Sequence, residues 1–135
     1  GVYSGEGHLM FILGSRSLKN LIGVHPDLKL VVERAIDITD LDFVVTEGVR
    51  TLARQKQLGA AGASKTMCSR HLTGHAVDLA AVVGGKVRWD WPLYARLNEV
   101  MMEAARDEGV QIEWGGHWKT LRDGPHWQLP WSLYP

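Results

Sequence analysis

Two histidines and an aspartate stand where they could share a metal ion. His71 and Asp78 lie in Ser69-Arg70-His71-Leu72-Thr73-Gly74-His75-Ala76-Val77-Asp78, and His126 in Asp123-Gly124-Pro125-His126. Zinc prefers imidazole and thiolate and accepts carboxylate as a minority ligand. Three protein ligands leave one tetrahedral position open to water, which is the arrangement of a catalytic ion rather than a structural one. Asp123, three residues before the last histidine, brings a further carboxylate close to that set. The pattern points to zinc-assisted hydrolysis. His126 is remote in sequence from the other two, so the set can exist only in the folded chain.

A second grouping stays open at this level. Cys68 and His75 flank His71 at three and four residues, about one helical turn to either side, and could form a local cluster with it. Thr73-Gly74 argues against the helix that cluster needs, since glycine costs about 1 kcal/mol in a helix interior. No glutamate follows His71, as it would in the helical His-Glu-x-x-His pattern. Ser69 reads as a loop cap, because no base is placed to activate it and a metal would already supply the nucleophile. His75 reads either as a hydrogen-bonding support for the site or as a solvent-facing side chain. Trp114, Trp118 and Trp127 read equally as groove or as core.

The elements that must position these groups are legible in outline. Ser15 to Val24 carries Leu18, Leu21 and Ile22 at helical spacing and closes at Gly23. His25-Pro26-Asp27 opens a stronger helix, with proline suited to the first turn, Asp27 at the positive end of the dipole, and His25 as a surface or capping residue. Leu28, Val31, Val32, Ala35 and Ile36 form its apolar stripe. Asp42 to Thr46 is β-branched and aromatic, hence a strand, ended by Glu47-Gly48. Arg50 follows at a strand-to-helix junction, where it reads as a solvated surface residue or as one that reaches into a cleft, and a helix spans about Leu52 to Ala61.

Ala63 to Ser69 reads as a loop. From His75 to Val83 the alternation predicts a strand with Val77, Leu79, Ala81 and Val83 on one face and Ala76, Asp78, Ala80 and Val82 on the other. The alanines beside Asp78 leave room for an ion. Gly84-Gly85 signals a hairpin returning through Lys86 to Trp89. Pro92 opens a long helix ending at Gly109, in which Met101 and Met102 read as packing rather than as ligands. Val110 to Trp114 and His126 to Leu129 read as strands, the latter with His126 and Gln128 on one face. Hairpin signals outnumber strand-helix-strand units, so the expected fold class is α+β, a single domain with a small, mainly antiparallel sheet packed with helices.

Composition narrows the function. The chain has 135 residues, 45% of them apolar, and fifteen basic against fifteen acidic side chains. That length suits one domain with a real core. Zero net charge offers no electrostatic footprint for nucleic acid or an anionic membrane surface. One cysteine excludes an internal disulfide framework. No apolar run approaches the roughly 20 residues of a membrane-spanning helix, and no export signal is evident. Residues 1–9 are small, polar and patternless, which suggests an expression-vector remnant with the zinc peptidase domain over 10–135 and His8 irrelevant to function.

The Ser-x-His-x-x-Gly-x-Ala-x-Asp stretch, with Glu113-Trp114-Gly115-Gly116 and Asp123-Gly124-Pro125-His126-Trp127 downstream, resembles the zinc D-Ala-D-Ala carboxypeptidase family. Within it the chain is most similar to phage L-alanyl-D-glutamate endopeptidases, which serve as endolysins. The likeness runs from about Ser15 to Leu129. It implies a Hedgehog/DD-peptidase-like fold, Zn2+ held by His71, Asp78 and His126, Asp123 as general base, and Arg50 binding substrate or the developing oxyanion, with Glu113 as the reserve candidate for the base. It further implies a monomer whose partner is the peptidoglycan stem peptide, released from the host cytoplasm by membrane permeabilisation to cause lysis. Two positions depart from the pattern: many relatives carry glutamate at Asp123, and an acidic residue is expected at His117. Two alternatives remain, a D-Ala-D-Ala carboxypeptidase or dipeptidase and a noncatalytic zinc-stabilised wall-binding module.

Overall fold

The computed structural model describes residues 2–3, 9–60, 62 and 69–135. Its chain runs β1 (Val2–Tyr3), β2 (Leu9–Met10), α1 (Ser15–Asn20), α2 (Pro26–Ile38), β3 (Asp42–Glu47) and α3 (Leu52–Ala60). A 3-10 turn (Arg70–Thr73), β4 (Ala76–Val83), β5 (Lys86–Arg88) and α4 (Trp91–Glu108) follow, then β6 (Glu113–Trp114), a second 3-10 turn (Gly115–His117) and β7 (His126–Gln128). Strand β4 organises the main sheet. Strand β3 pairs along one side of it, and β5 and β7 share the other side end to end, with β6 beyond β7. Every one of these pairings is antiparallel, as the hairpin signals predict, and β1 with β2 forms a separate ladder.

The two long helices form because their apolar stripes and end signals agree. In α2 the ring Nδ1 of His25 accepts from the Asp27 backbone N–H at 3.1 Å, so His25 is the predicted cap. Leu28, Val31, Val32, Ala35 and Ile36 are all buried. Helix α4 starts after Asp90, carries Pro92 in its first turn and ends at Gly109. Helix α4 packs on the β4 face and α2 packs along α4, and their stripes share one core with Val77, Leu79, Ala81, Phe43, Val45 and Trp127. Trp127 is fully buried, and its indole N–H donates to Asn98 Oδ1 at 3.0 Å. Among the described residues no helix is long and apolar enough to cross a membrane.

Helix α1 differs from expectation in how it attaches. Leu18 and Ile22 are 52% and 73% exposed, and only Leu21 of the predicted trio is buried. Polar side chains hold the helix instead. The Ser17 hydroxyl accepts from the Val45 N–H at 2.9 Å, and the Asn20 amide donates to the Val45 carbonyl at 2.8 Å. These bonds satisfy main-chain groups that edge strand β3 would otherwise leave open. The strand expected over Val110 to Trp114 shrinks to Glu113–Trp114, because the Val110 N–H is already spent on the Ala105 carbonyl at 2.9 Å, closing α4. The loop expected over Ala63 to Ser69 falls, except for Ser69, outside the described residues, as do Cys68 and His8.

One irregularity decides which side chains reach the site. Val45 opposes Leu79 but Glu47 opposes Asp78, so Thr46 is a bulge residue. Without that extra residue Glu47 would share the core face with Val45; the bulge brings it to the face of Asp78. Gly74 closes the 3-10 turn at φ 76°, and a Cβ there would lie 2.5 Å from the Gly23 carbonyl oxygen. Gly74→Ala is therefore expected to cost at least about 2 kcal/mol, from left-handed strain plus the clash, read as a lowered midpoint in thermal or urea unfolding.

Candidate metal centre

The site grows from a row across the sheet. The register sets Glu47, Asp78 and His126 side by side on adjacent strands, and Ala76, Gln128 and Glu113 form the next row. His71 comes from the 3-10 turn before β4, where the Ser69 hydroxyl accepts its N–H at 3.2 Å, the capping role expected of that serine. Ala76 and Ala80 are fully buried beside Asp78 and project no bulk into the ligand space.

The predicted trio comes together. One ligand atom from each of His71, Asp78 and His126 lies within 4.8 Å of the other two. His71 Nε2 is 3.0 Å and His126 Nδ1 3.2 Å from the same oxygen, Asp78 Oδ1. Atoms bound at 2.0–2.2 Å around a tetrahedral first-row ion stand roughly 3.4 Å apart, so the two spacings to Asp78 match such an ion, and the two ring nitrogens lie within 4.8 Å of each other. Among the described residues no fourth His, Cys, Asp or Glu atom joins the set.

The outer edges of the rings show why positive charge belongs there. His71 Nδ1 faces the Gly48 carbonyl oxygen at 2.8 Å, and a carbonyl can only accept, so that nitrogen carries the hydrogen. His126 Nε2 meets Gln128 Oε1 at 2.7 Å, while the Gln128 amide nitrogen turns to Glu113 Oε2 at 3.5 Å. Neutral rings would therefore present lone pairs to a carboxylate oxygen, so positive charge belongs between them, supplied by a metal ion or by protons on the rings. Partners of this kind orient metal-binding imidazoles in general. Position 48 takes glycine because a Cβ on it would drive into the Asn20 carbonyl oxygen.

Electrostatics point the same way. Burial would push the Asp78 carboxyl up, but its bonds to His126 and His71 outweigh that and hold it well below the usual carboxylate range. Burial would push His126 down, yet Asp78 draws it above its ordinary value. Four carboxylates (Glu47, Asp78, Glu113, Asp123) and two guanidiniums (Arg50, Arg70) line an open cleft of about 760 Å³. The excess of two negative charges matches one divalent ion.

Asp123 and Arg50 both line this cleft, outside the ligand trio. Asp123 sits where its N–H donates to the Gly115 carbonyl at 2.9 Å and its own carbonyl accepts the His126 N–H at 3.3 Å. Burial, then the Asp78 charge, pushes its carboxyl up, raising its affinity for a proton. The Arg50 guanidinium is held by Glu47 and, at 2.7 Å, by Gln55 Oε1. Of the three tryptophans, Trp114 and Trp127 stack in the core and Trp118 lines the cleft, 5.2 Å from the His126 ring.

His75 stands apart from the trio. Its Nδ1 bonds Thr73 Oγ1 at 2.7 Å and its ring packs near His25 and Tyr134. The local cluster with Cys68 cannot be followed, since Cys68 lies outside the described residues. His117 is exposed, edge-on to Trp114. Gln128, Gln55 and the Gly48 carbonyl are supports the motif reading missed; the alternation that put Gln128 on the face of His126 was the available signal for one of them.

Comparison with known proteins follows this geometry. A family model described as phage L-alanyl-D-glutamate peptidase matches residues 9–127. The L-alanyl-D-glutamate peptidase of Escherichia phage T5 is 31% identical over 119 residues, covering 85% of this chain and 87% of that protein. The peptidase of the same name from Listeria phage A118 is 32% identical over 123 residues, 89% of this chain but only 43% of that protein. Among solved structures, the L-Ala D-Glu endopeptidase ChiX of Serratia marcescens superposes with a TM-score of 0.85 at 50% identity, over 90% of this chain and 91% of that one.

Freeing the outer nitrogen of His126 should loosen the site without removing a ligand. Gln128→Ala is expected to weaken divalent-ion affinity by about 10- to 100-fold, measured by titration against a competing chelator.

Proposed function

The chain belongs to the phage L-alanyl-D-glutamate peptidase family, and from that premise we propose that it hydrolyses the L-alanyl-D-glutamate bond of peptidoglycan stem peptides with Zn2+ held by His71, Asp78 and His126. The observation that carries the metal is the convergence of two ring lone pairs on Asp78 Oδ1 beside an open cleft. When bound, Zn2+ supplies Lewis-acid polarisation of the scissile carbonyl and a lowered pKa for water.

The chain's own groups supply the rest. Asp123 takes a proton from the attacking water as the new C–O bond forms, and returns it to the D-glutamate nitrogen as the C–N bond breaks. Its raised proton affinity suits that exchange. Arg50, held in place by Glu47 and Gln55, offers positive charge to the oxygen on which negative charge develops. Glu113 is tied to Gln128 and through it to His126, which favours an orienting role over that of base. An open cleft and a three-ligand set favour catalysis over the wall-binding alternative, since structural zinc normally takes four protein ligands.

The use we assign to this activity is host lysis: a monomer released from the host cytoplasm once the membrane is permeabilised, with antimicrobial action as its practical consequence. Likeness to two phage peptidases supports that reading.

Mass spectrometry of digested peptidoglycan should show new D-glutamate amino termini; released D-alanine would instead identify a carboxypeptidase. Asp123→Ala is expected to lower kcat by about 10²- to 10⁴-fold while the protein still retains one equivalent of zinc; full activity in that variant would remove Asp123 from the reaction. Chelation should abolish cleavage and leave the circular dichroism spectrum folded, whereas unfolding on chelation would mark a structural ion.

A further inference from the structure

The family match ends at residue 127, but the chain beyond it turns back onto the site. The Leu133 and Tyr134 N–H groups donate to the Pro130 carbonyl at 3.2 and 3.0 Å, closing a turn around Trp131. Arg70, only 2% exposed, gathers this strap: its guanidinium donates to the Leu129 carbonyl at 3.2 Å and to the Tyr134 carbonyl. Tyr134 is fastened again on its far side, where its hydroxyl donates to Asp27 Oδ2 at 2.7 Å and its ring meets His25 edge-on at 5.1 Å. One face of the Trp131 ring lies over the Arg70 guanidinium at 4.0 Å. The indole is nonetheless 51% exposed, and it lines the cleft.

Exposed tryptophans also occur at Trp89 and Trp91, but only Trp131 of the three lines the cleft that holds the trio. Here the strap fixes the ring before any ligand arrives, and the cation beneath holds its plane. The cleft is mixed in character: carboxylates, Arg50 and the histidines line it together with the apolar surfaces of Trp131, Trp118 and Leu58. Its volume of about 760 Å³ exceeds what a dipeptide needs. In peptidoglycan the L-alanine before the scissile bond is joined to the lactyl group of muramic acid, so a sugar ring stands one residue from the bond being cut. The apolar C–H face of a pyranose is the natural cover for an exposed indole.

We propose that Trp131 is the platform for the muramoyl sugar and makes the enzyme prefer glycan-linked stem peptides over free ones. This rests on the assignment of the L-alanyl-D-glutamate bond as the one cleaved.

The test compares kcat/KM on a disaccharide-linked tetrapeptide and on the free tetrapeptide of the same sequence, with products identified by mass. The wild-type protein should favour the linked substrate. Trp131→Ala should lower that preference by about tenfold, chiefly through KM for the linked substrate, and Trp131→Phe, which keeps an aromatic face, should retain most of it. Should the alanine variant fail to fold, Trp131→Leu, which keeps apolar bulk without an aromatic face, takes its place with the same expected loss. A wild-type protein with no preference, or a preference unaltered by both substitutions while the same bond is cut, overturns the sugar platform and leaves the bond assignment standing. Cleavage at a different bond in both substrates overturns the assignment and the platform with it.

Discussion

Three acceptor atoms facing one another in a half-buried cleft form the constraint on which the rest of this structure depends. The Gly48 carbonyl and the Gln128 amide oxygen take one hydrogen from each imidazole, so that in their neutral form His71 Nε2 and His126 Nδ1 offer lone pairs to Asp78 Oδ1. Left without positive charge, that arrangement would repel itself; with a cation it becomes the strongest electrostatic feature of the cleft. The outer partners matter because they decide this. Were either ring free to turn over, its neutral form could donate to the carboxylate, and no positive charge would be called for.

The sheet makes the arrangement reproducible. Asp78 and His126 are directly paired across β4 and β7, a relation that ladder hydrogen bonds hold to within a fraction of an ångström, and Val77 and Trp127 anchor the same two strands from the core side. The residues that carry chemistry thus alternate with the residues that carry stability, one face each. His71 alone comes from a turn, and that turn is pinned at both ends: the Arg50 N–H donates to the His71 carbonyl at 2.9 Å, and Gly74 sits tight against Gly23. A site built this way is positioned by elements that cannot move without disturbing the core.

This division explains what the sequence made legible. The alternation from His75 to Val83 placed Asp78 on a face with Ala76 and Ala80, and the stripes of α2 and α4 announced the core, because both are local patterns of period two or 3.6. The His71, Asp78 and His126 set could be read because unusual residue types stood at turn-to-strand junctions. What remained hidden is nonlocal. No feature of Asp42 to Glu47 reveals that Thr46 is a bulge, yet the bulge alone turns Glu47 towards Arg50. Likewise Leu18 and Ile22 fit a buried stripe, but α1 is fastened through Ser17 and Asn20 to an edge that only the folded sheet defines.

Arg50 shows how the parts constrain each other. A guanidinium in a cleft holding four carboxylates could collapse onto any of them and be lost to substrate. Glu47 captures it first, because the bulge puts that carboxylate in the strand end immediately before it, and Gln55 adds a neutral acceptor from α3 that fixes direction without adding charge. The cost is one more acid near the trio. A divalent ion offsets it, since the cleft carries two negative charges in excess without one. An ion held by Asp78 and the histidines would act on the Glu47–Arg50 pair as well, so the ligand set and the charged groups beside it are electrostatically one unit rather than neighbours.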